Sequence, residues 1–289
     1  METGHACGFG VDRLNHAIQN LLQRAGSSYV AGPSIADARQ VCERLGARGI
    51  ATTVCYWNSR SESPIAVCEN YLGLLDMIRG LANDCYLSVK ASALEFDFEL
   101  VKKLIDRAAR TRTTIHFDSI GPDTVDRTFE LIDAACTIYS NLGCTIPARW
   151  RRSVRDAEFA AAKGLHVRVV KGQWAGLNGG ETDSREGFIR LIDSLIANSA
   201  SHVAVATHNE MAGTRALTAL RNASVSCELE LLHGLPAAQM CNTAREHNVP
   251  VRVYVAYGYG ALPYRLREFP RDPRILAWFA RDLIRSGSK

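Results

Sequence analysis

Paired cysteines are the first thing this sequence lacks. Its nine cysteines (Cys7, Cys42, Cys55, Cys68, Cys85, Cys136, Cys144, Cys227 and Cys241) are odd in number and widely spaced, and none forms a C-x-x-C. That argues against a zinc ribbon, a thioredoxin-type redox pair and a secreted disulfide framework. Several sit in apolar runs, as reduced, buried thiols of a cytoplasmic protein do. No stretch approaches eighteen consecutive apolar residues, and the opening METGHACGFG has neither a basic n-region nor an apolar core. The expectation is an untargeted chain without a transmembrane segment. Charge of one sign is also scarce. A net charge of +4 over 289 residues, with no Lys/Arg block, leaves no footprint for nucleic acid. No H-x-H or H-x-x-x-H occurs, no G-x-G-x-x-G follows an apolar run, and no motif marks a nucleophilic Ser or Cys.

What the chain has in quantity is alternation. Eight short β-rich runs recur: GIATTVCYW (49–57), CYLSVKAS (85–92), TTIHFDS (113–119), TIPAR (145–149), HVRVVKG (166–172), HVAVATH (202–208), SCELELL (226–232) and VRVYVAY (251–257). Between them lie segments with helical periodicity, such as FELVKKLIDRAARTR and DTVDRTFELIDAACTIYSNL. In the second, Val125, Phe129, Leu131, Ile132 and Ala135 fall near one face, and Asp123 is placed to cap the start. Eight strands alternating with helices predict an α/β fold, a (β/α)8 barrel of the TIM type. A doubly wound sheet is the structural alternative. TIPAR is the least strand-like run, because a proline lies inside it. Residues 1–47 read as a leading helical segment and 48–289 as the barrel, in one domain.

Barrel enzymes carry their chemistry at the C-terminal ends of the strands. Those ends read Lys90, Asp118, Arg149, Lys171, His208, Glu230 and His233, with Tyr254 and Tyr257 on the last strand. Ionisable groups gathered at one rim point to a functional mouth; a soluble rim is the plainer explanation. Lys90 is either snorkelling or functional, Asp118 either a cap or a site residue, and His208 either a backbone-bonded core histidine or a ligand contact. Arg168 shares a face with Val170, so its burial would need an anionic or polar ligand. A metal centre would have to draw on His116, Asp118, His208 and His233, whose spacing matches no metal motif, so no metal is expected.

Laid out in order, these segments resemble the proline dehydrogenase family, flavin enzymes on a (β/α)8 barrel. The likeness runs from about Tyr29 to Arg281. It rests on YVAGPSIADARQVCERLGARGI, LSVKASAL, TIHFDS, VRVVKGQW, ATHN, CELELLHGL and VRVYVAYGYGALPYRLREF. The resemblance implies non-covalent FAD at the mouth and hydride transfer from the carbon beside an amine. Arg168 would lie beside the flavin ring. Lys171, Gly172 and Trp174 would lie near the phosphate and ribose portion, Thr207, His208 and Asn209 near the adenine end, with Glu230 also on the cofactor side. Lys90, Asp118, Leu232, Tyr254, Tyr264 and Arg267 map onto the substrate pocket, where Asp118 would orient Arg267. Catalytic roles would fall to Lys90, Asp118, Arg168 and Arg267.

Three departures from the family pattern surround that site. Its second carboxylate-gripping arginine is here Glu268, beside Arg267, which suits a cationic or mixed group better than a free carboxylate. Its Q-A-Y is here Pro147-Ala148-Arg149, with Arg149 expected on the face of Pro147. Its glutamine before the pocket leucine is Glu230. The substrate expected is therefore a proline-like cyclic amine or modified amino acid. The alternatives are a true L-proline dehydrogenase in which Arg149 grips the carboxylate, and a flavin-free barrel that binds a ligand or performs non-redox, metal-dependent chemistry. The electron acceptor stays open among quinone, oxygen and a protein, the first implying peripheral membrane contact. The loop AGLNGGETDS reads either as a cover for the site or as plain surface.

Overall fold

A computed structural model of the chain describes residues 29–258, apart from 60, 173–175, 177–179, 181 and 182. The chain enters beside the last strand, where Val30 bridges Ala256, and then forms α1 (Ile35–Gly46). Strand–helix pairs follow: β1 (Ala51–Tyr56), α2 (Pro64–Arg79), β2 (Cys85–Val89), a 3-10 turn (Ala91–Leu94) with α3 (Phe98–Ala109), β3 (Ile115–Phe117) and α4 (Val125–Cys136). The second half runs β4 (Leu142–Pro147), α5 (Ser153–Ala162), β5 (His166–Val170), α6 (Ser184–Ala197), β6 (His202–Ala206), α7 (Glu210–Asn222), β7 (Cys227–Leu232), α8 (Ala238–Glu246) and β8 (Val251–Tyr257). Every strand pairs in parallel with the next, and β8 closes on β1 from Ala51 opposite Arg252 to Tyr56 opposite Tyr257. This is a (β/α)8 barrel.

Local sequence explains where the helices begin. Ser34 and Asp37 form a capping box on α1, Asp97 accepts from Glu99 N and Leu100 N at the start of α3, and Asn209 accepts from Ala212 N on α7. Asp123 does not cap α4. Thr124 takes that position, and its hydroxyl donates to Gly121 O at 2.8 Å, tying a turn that starts the helix one residue later.

The core between strands and helices is apolar. Val54, Leu87, Val89, Ile115, Val167, Val169, Val203, Val205, Leu229 and Val255 are fully buried there, against Leu74, Leu104, Ile132, Ile192 and Leu217 of the helices. The inward face is different. Side chains of β3, β5 and β7, which are not neighbours in the sheet, hydrogen-bond one another, so they meet across the barrel's interior. Parallel strands buried on both faces are usually apolar on both; here the inward positions are polar, as at Ser88, His116, Arg168, Glu228, Glu230 and Arg252, or small, as at Gly143 and Ala204.

The eight cysteines among the described residues are all free thiols. No helix among them is long and apolar enough to cross a membrane. Of the expected leading segment, α1 lies within the described residues and the positions before Tyr29 lie outside them.

Candidate functional site

The interior polar residues form two layers. The upper one, toward the C-terminal strand ends, is centred on Arg168, whose side chain is 4% exposed. Its Nε and Nη2 donate to the two oxygens of Glu230 at 2.6 and 2.9 Å, a two-point grip on a carboxylate that is itself buried. Its Nη1 donates to Asp118 Oδ1 at 2.9 Å and Thr145 Oγ1 at 3.2 Å, with Ser88 Oγ at 3.4 Å. Glu230 also accepts from Thr53 Oγ1 at 2.9 Å. Asp118 accepts from Ser88 Oγ at 2.7 Å and, on its other oxygen, from the Tyr254 hydroxyl at 2.8 Å. The Tyr254 ring lies 5.2 Å from the guanidinium carbon of Arg168. Burial, and then the Asp118 carboxylate beside it, hold the Tyr254 hydroxyl well above its usual range, so it stays a donor.

Lys90 stands above this layer. Its backbone N donates to the Tyr71 hydroxyl at 3.1 Å, and its ammonium turns back to donate to the Tyr56 carbonyl and to Cys55 Sγ. No carboxylate among the described residues pairs with it. The Cys55 thiol is pushed up to about 11 by burial, so it remains protonated beside the lysine.

The lower layer is centred on Arg252, 2% exposed, which donates to Glu228 Oε1 at 2.8 Å, to the Thr52 carbonyl at 2.7 Å and to Asp84. The guanidinium lies over the Tyr86 ring at 3.5 Å. His166 and His202 complete it, with ring centroids 5.0 Å apart. Burial opposes ionisation of Glu228, but the His202 ring nitrogen 3.4 Å away and the charge of Arg252 outweigh it and bring the carboxyl down to about 2. His116, between the layers, bonds Thr145 Oγ1 through Nε2 at 3.2 Å. A side chain at Gly143 would collide with the His116 ring and stand 2.7 Å from the His166 carbonyl, so β4 needs glycine at this crossing.

At the rim, β4 ends at Pro147, although Ala148 N and Arg149 N still donate to Val170 O at 2.7 Å and Lys171 O at 3.2 Å; the chain then turns, with Trp150 N and Ser153 Oγ both donating to the Pro147 carbonyl. Pro147 and Arg149 nonetheless both crowd Gly172, where a Cβ would stand 2.8 Å from Pro147 Cβ and 3.0 Å from Arg149 Cγ. With φ at +90°, Gly172 has the left-handed backbone that glycine favours. Lys171, just past β5, is exposed. His208 uses both ring nitrogens on backbone: Nε2 accepts from Leu232 N at 2.9 Å and Nδ1 bonds the Pro236 carbonyl at 3.1 Å. Burial lowers its affinity for a proton, which suits that neutral tautomer. Thr207 Oγ1 accepts from Asn209 N at 3.0 Å.

The structure thus brings Lys90, Asp118, Arg168, Glu230 and Tyr254 together, with Leu232 one strand position above Leu231 at the end of β7. It separates Lys171, Gly172, Thr207, His208 and Asn209 into the rim loops. Trp174, Tyr264, Arg267 and Glu268 lie outside the described residues, as does most of the loop AGLNGGETDS. No cluster of three or more His, Cys, Asp or Glu among the described residues is arranged to hold a metal, and His116, Asp118, His208 and His233 do not converge. Sequence reasoning missed Thr53, Ser88 and Thr145 above, and Glu228 with Arg252 below. Period-two spacing was the available signal: Ser88 precedes Lys90 by two, Glu228 precedes Glu230, and Arg252 precedes Tyr254.

No family model and no curated protein matches the sequence. Solved structures do match. Proline utilization A from Bdellovibrio bacteriovorus, inactivated by N-propargylglycine, superposes with a TM-score of 0.71 at 18% identity, over 84% of this chain and 32% of that one. The two share this barrel fold over the matched region. Proline utilization A from Corynebacterium freiburgense gives 0.63 at 16% identity over 93% of this chain and 33% of that one. A mutant of the Bradyrhizobium japonicum protein gives 0.65 at 19% over 91% and 31%. The chain therefore spans about a third of the length of each proline utilization A structure.

Proposed function

We propose that this proline dehydrogenase-like barrel is an FAD-dependent oxidoreductase that oxidises a C–N bond of a proline-like or modified cyclic amine to an imine. The observation that carries the reading is the upper layer. A guanidinium is fixed at the centre of the mouth by carboxylates from two other strands, and a lysine that has no carboxylate partner among the described residues stands above it.

The residues present suit a flavin by the donors they have left. Among the described residues Arg168 commits four of its five N–H groups to Glu230, Asp118, Thr145 and Ser88, leaving one on Nη2. Lys171 is exposed beside the backbone of Gly172, where pyrophosphate can approach closely. His208 suits the rim as a brace that holds the end of β7, and Asn209 spends its carbonyl on α7. When bound, a flavin supplies the hydride acceptor. Asp118 and Glu230 hold Arg168 in place, Tyr254 presents an apolar ring with its hydroxyl tied down, and Lys90 offers a positive charge to an anionic part of the substrate. In the same reading Tyr264 packs over the substrate, while Glu268 beside Arg267 disfavours a free carboxylate and leaves a masked or modified one as the better fit.

One observation favours a second reading, a flavin-free barrel. The charge of Arg168 is balanced inside the protein, so its burial needs no ligand. The visible absorption spectrum of the purified protein separates the two, before and after incubation with FAD and anaerobic addition of proline. A flavin spectrum that proline leaves unbleached is the expected result. Bleaching by proline identifies a true proline dehydrogenase, and absence of flavin after incubation removes the oxidoreductase reading.

A further inference from the structure

Arg168 is surrounded by more formal negative charge than it carries: one guanidinium faces the carboxylates of Asp118 and Glu230. The two carboxylates differ in what else they do. Asp118 is shared, serving Ser88, Tyr254 and Cys55 as well. Among the described residues Glu230 hydrogen-bonds Arg168 and the Thr53 hydroxyl, and its two-point grip takes the Nε and one Nη2 hydrogen.

We propose that Glu230 is a positioning residue that sets the redox poise of the cofactor site, by holding Arg168 and withholding its charge from a bound flavin. The inference rests on the oxidoreductase reading above and deepens it. A buried cation beside a flavin stabilises the anionic reduced form. A carboxylate locked to that cation in a water-poor interior cancels most of this effect, because the opposing charges act at nearly the same point. A wild-type flavin held here is consequently harder to reduce than one facing a free arginine. Glu230→Gln removes the negative charge while conserving volume. It leaves one amide oxygen for Thr53 or Arg168 and releases an Arg168 N–H toward the mouth.

The test is the midpoint potential of the FAD-reconstituted protein, measured by dye equilibration, together with the dissociation constant for FAD. Glu230→Gln should shift the reduction equilibrium at least about tenfold toward the reduced form, which is about 30 mV for a two-electron couple. Glu228→Gln makes the same chemical change in the lower layer, about 7 Å farther down the same strand, and should shift the potential much less. Equal shifts in both variants, or an unmoved potential in Glu230→Gln with FAD bound, overturn the inference and leave the flavin reading intact. Failure of the wild-type protein to hold FAD overturns the reading beneath it. If Glu230→Gln does not fold, Glu230→Asp keeps the charge but is too short for the two-point grip. It should raise the potential by a smaller amount, and no rise counts against the proposal.

Discussion

At the scale of single residues, the protein places its charges where they are costly and then pairs them. Arg168 and Glu230 are almost wholly removed from water. Removing one member of such a pair leaves an uncompensated buried charge, at a cost of about 3–5 kcal/mol. Arg168→Met is therefore expected to lower unfolding stability by about that amount in a denaturant titration. The double variant Arg168→Met/Glu230→Gln should recover part of the loss, because the orphaned charge goes with its partner. A double variant no more stable than the single one would mean Glu230 is stabilised by something other than Arg168. The sequence made these residues visible as polar interruptions in apolar strands. It did not show their pairing. The expectation that a buried Arg168 needs an anionic or polar ligand does not hold, because Glu230 and Asp118, strands away, supply that charge from within the protein; nothing local to positions 168 or 230 encodes which side chains face each other across a closed barrel.

At the scale of elements, the helices and strands were legible from periodicity, and their ends less so. β5 to β8 alternate a buried outward Val or Leu with an inward polar or small residue, a period-two signal strong enough to read directly. After β4 the chain turns at Pro147, whose carbonyl accepts from Trp150 N and from a serine six residues on, interactions no propensity reveals. Asn209 shows the same point for a helix. Read as a cofactor contact by resemblance, it is also the side chain that caps α7, and its removal has a cost without any ligand. Asn209→Ala should lower stability by about 1 kcal/mol in a denaturant titration. A loss near zero would mean that the Ala212 N–H finds another acceptor.

At the scale of the whole molecule, the polar interior makes stability depend on pH. Burial, and then the charge of Arg168, hold His116 well below its ordinary value of 6.5; burial, and then His202, lower His166. Below about pH 6.5 the unfolded chain takes up protons that the folded one refuses, so stability falls as pH falls. Glu228 adds a later stage. Its carboxyl, at about 2 against an ordinary 4.5, contributes fully above pH 4.5 and loses that contribution as the pH drops toward 2. Calorimetry at constant ionic strength should show Tm declining first below pH 6.5 and more steeply below 4.5; a flat Tm between pH 7 and 5 would show that the histidines are not held neutral. The barrel also fixes an order of assembly. The bond from Thr53 to Glu230 spans 177 residues and that from Arg252 to Thr52 spans 200, so neither exists until the first strand meets the last two. Asp118 directly follows the third strand and Arg168 and Glu230 lie on the fifth and seventh, so any division of the ring into two four-strand halves parts at least one from the others. A half-barrel would have to hide a lone charge or leave its interior wet, so the ring persists as a whole or not at all.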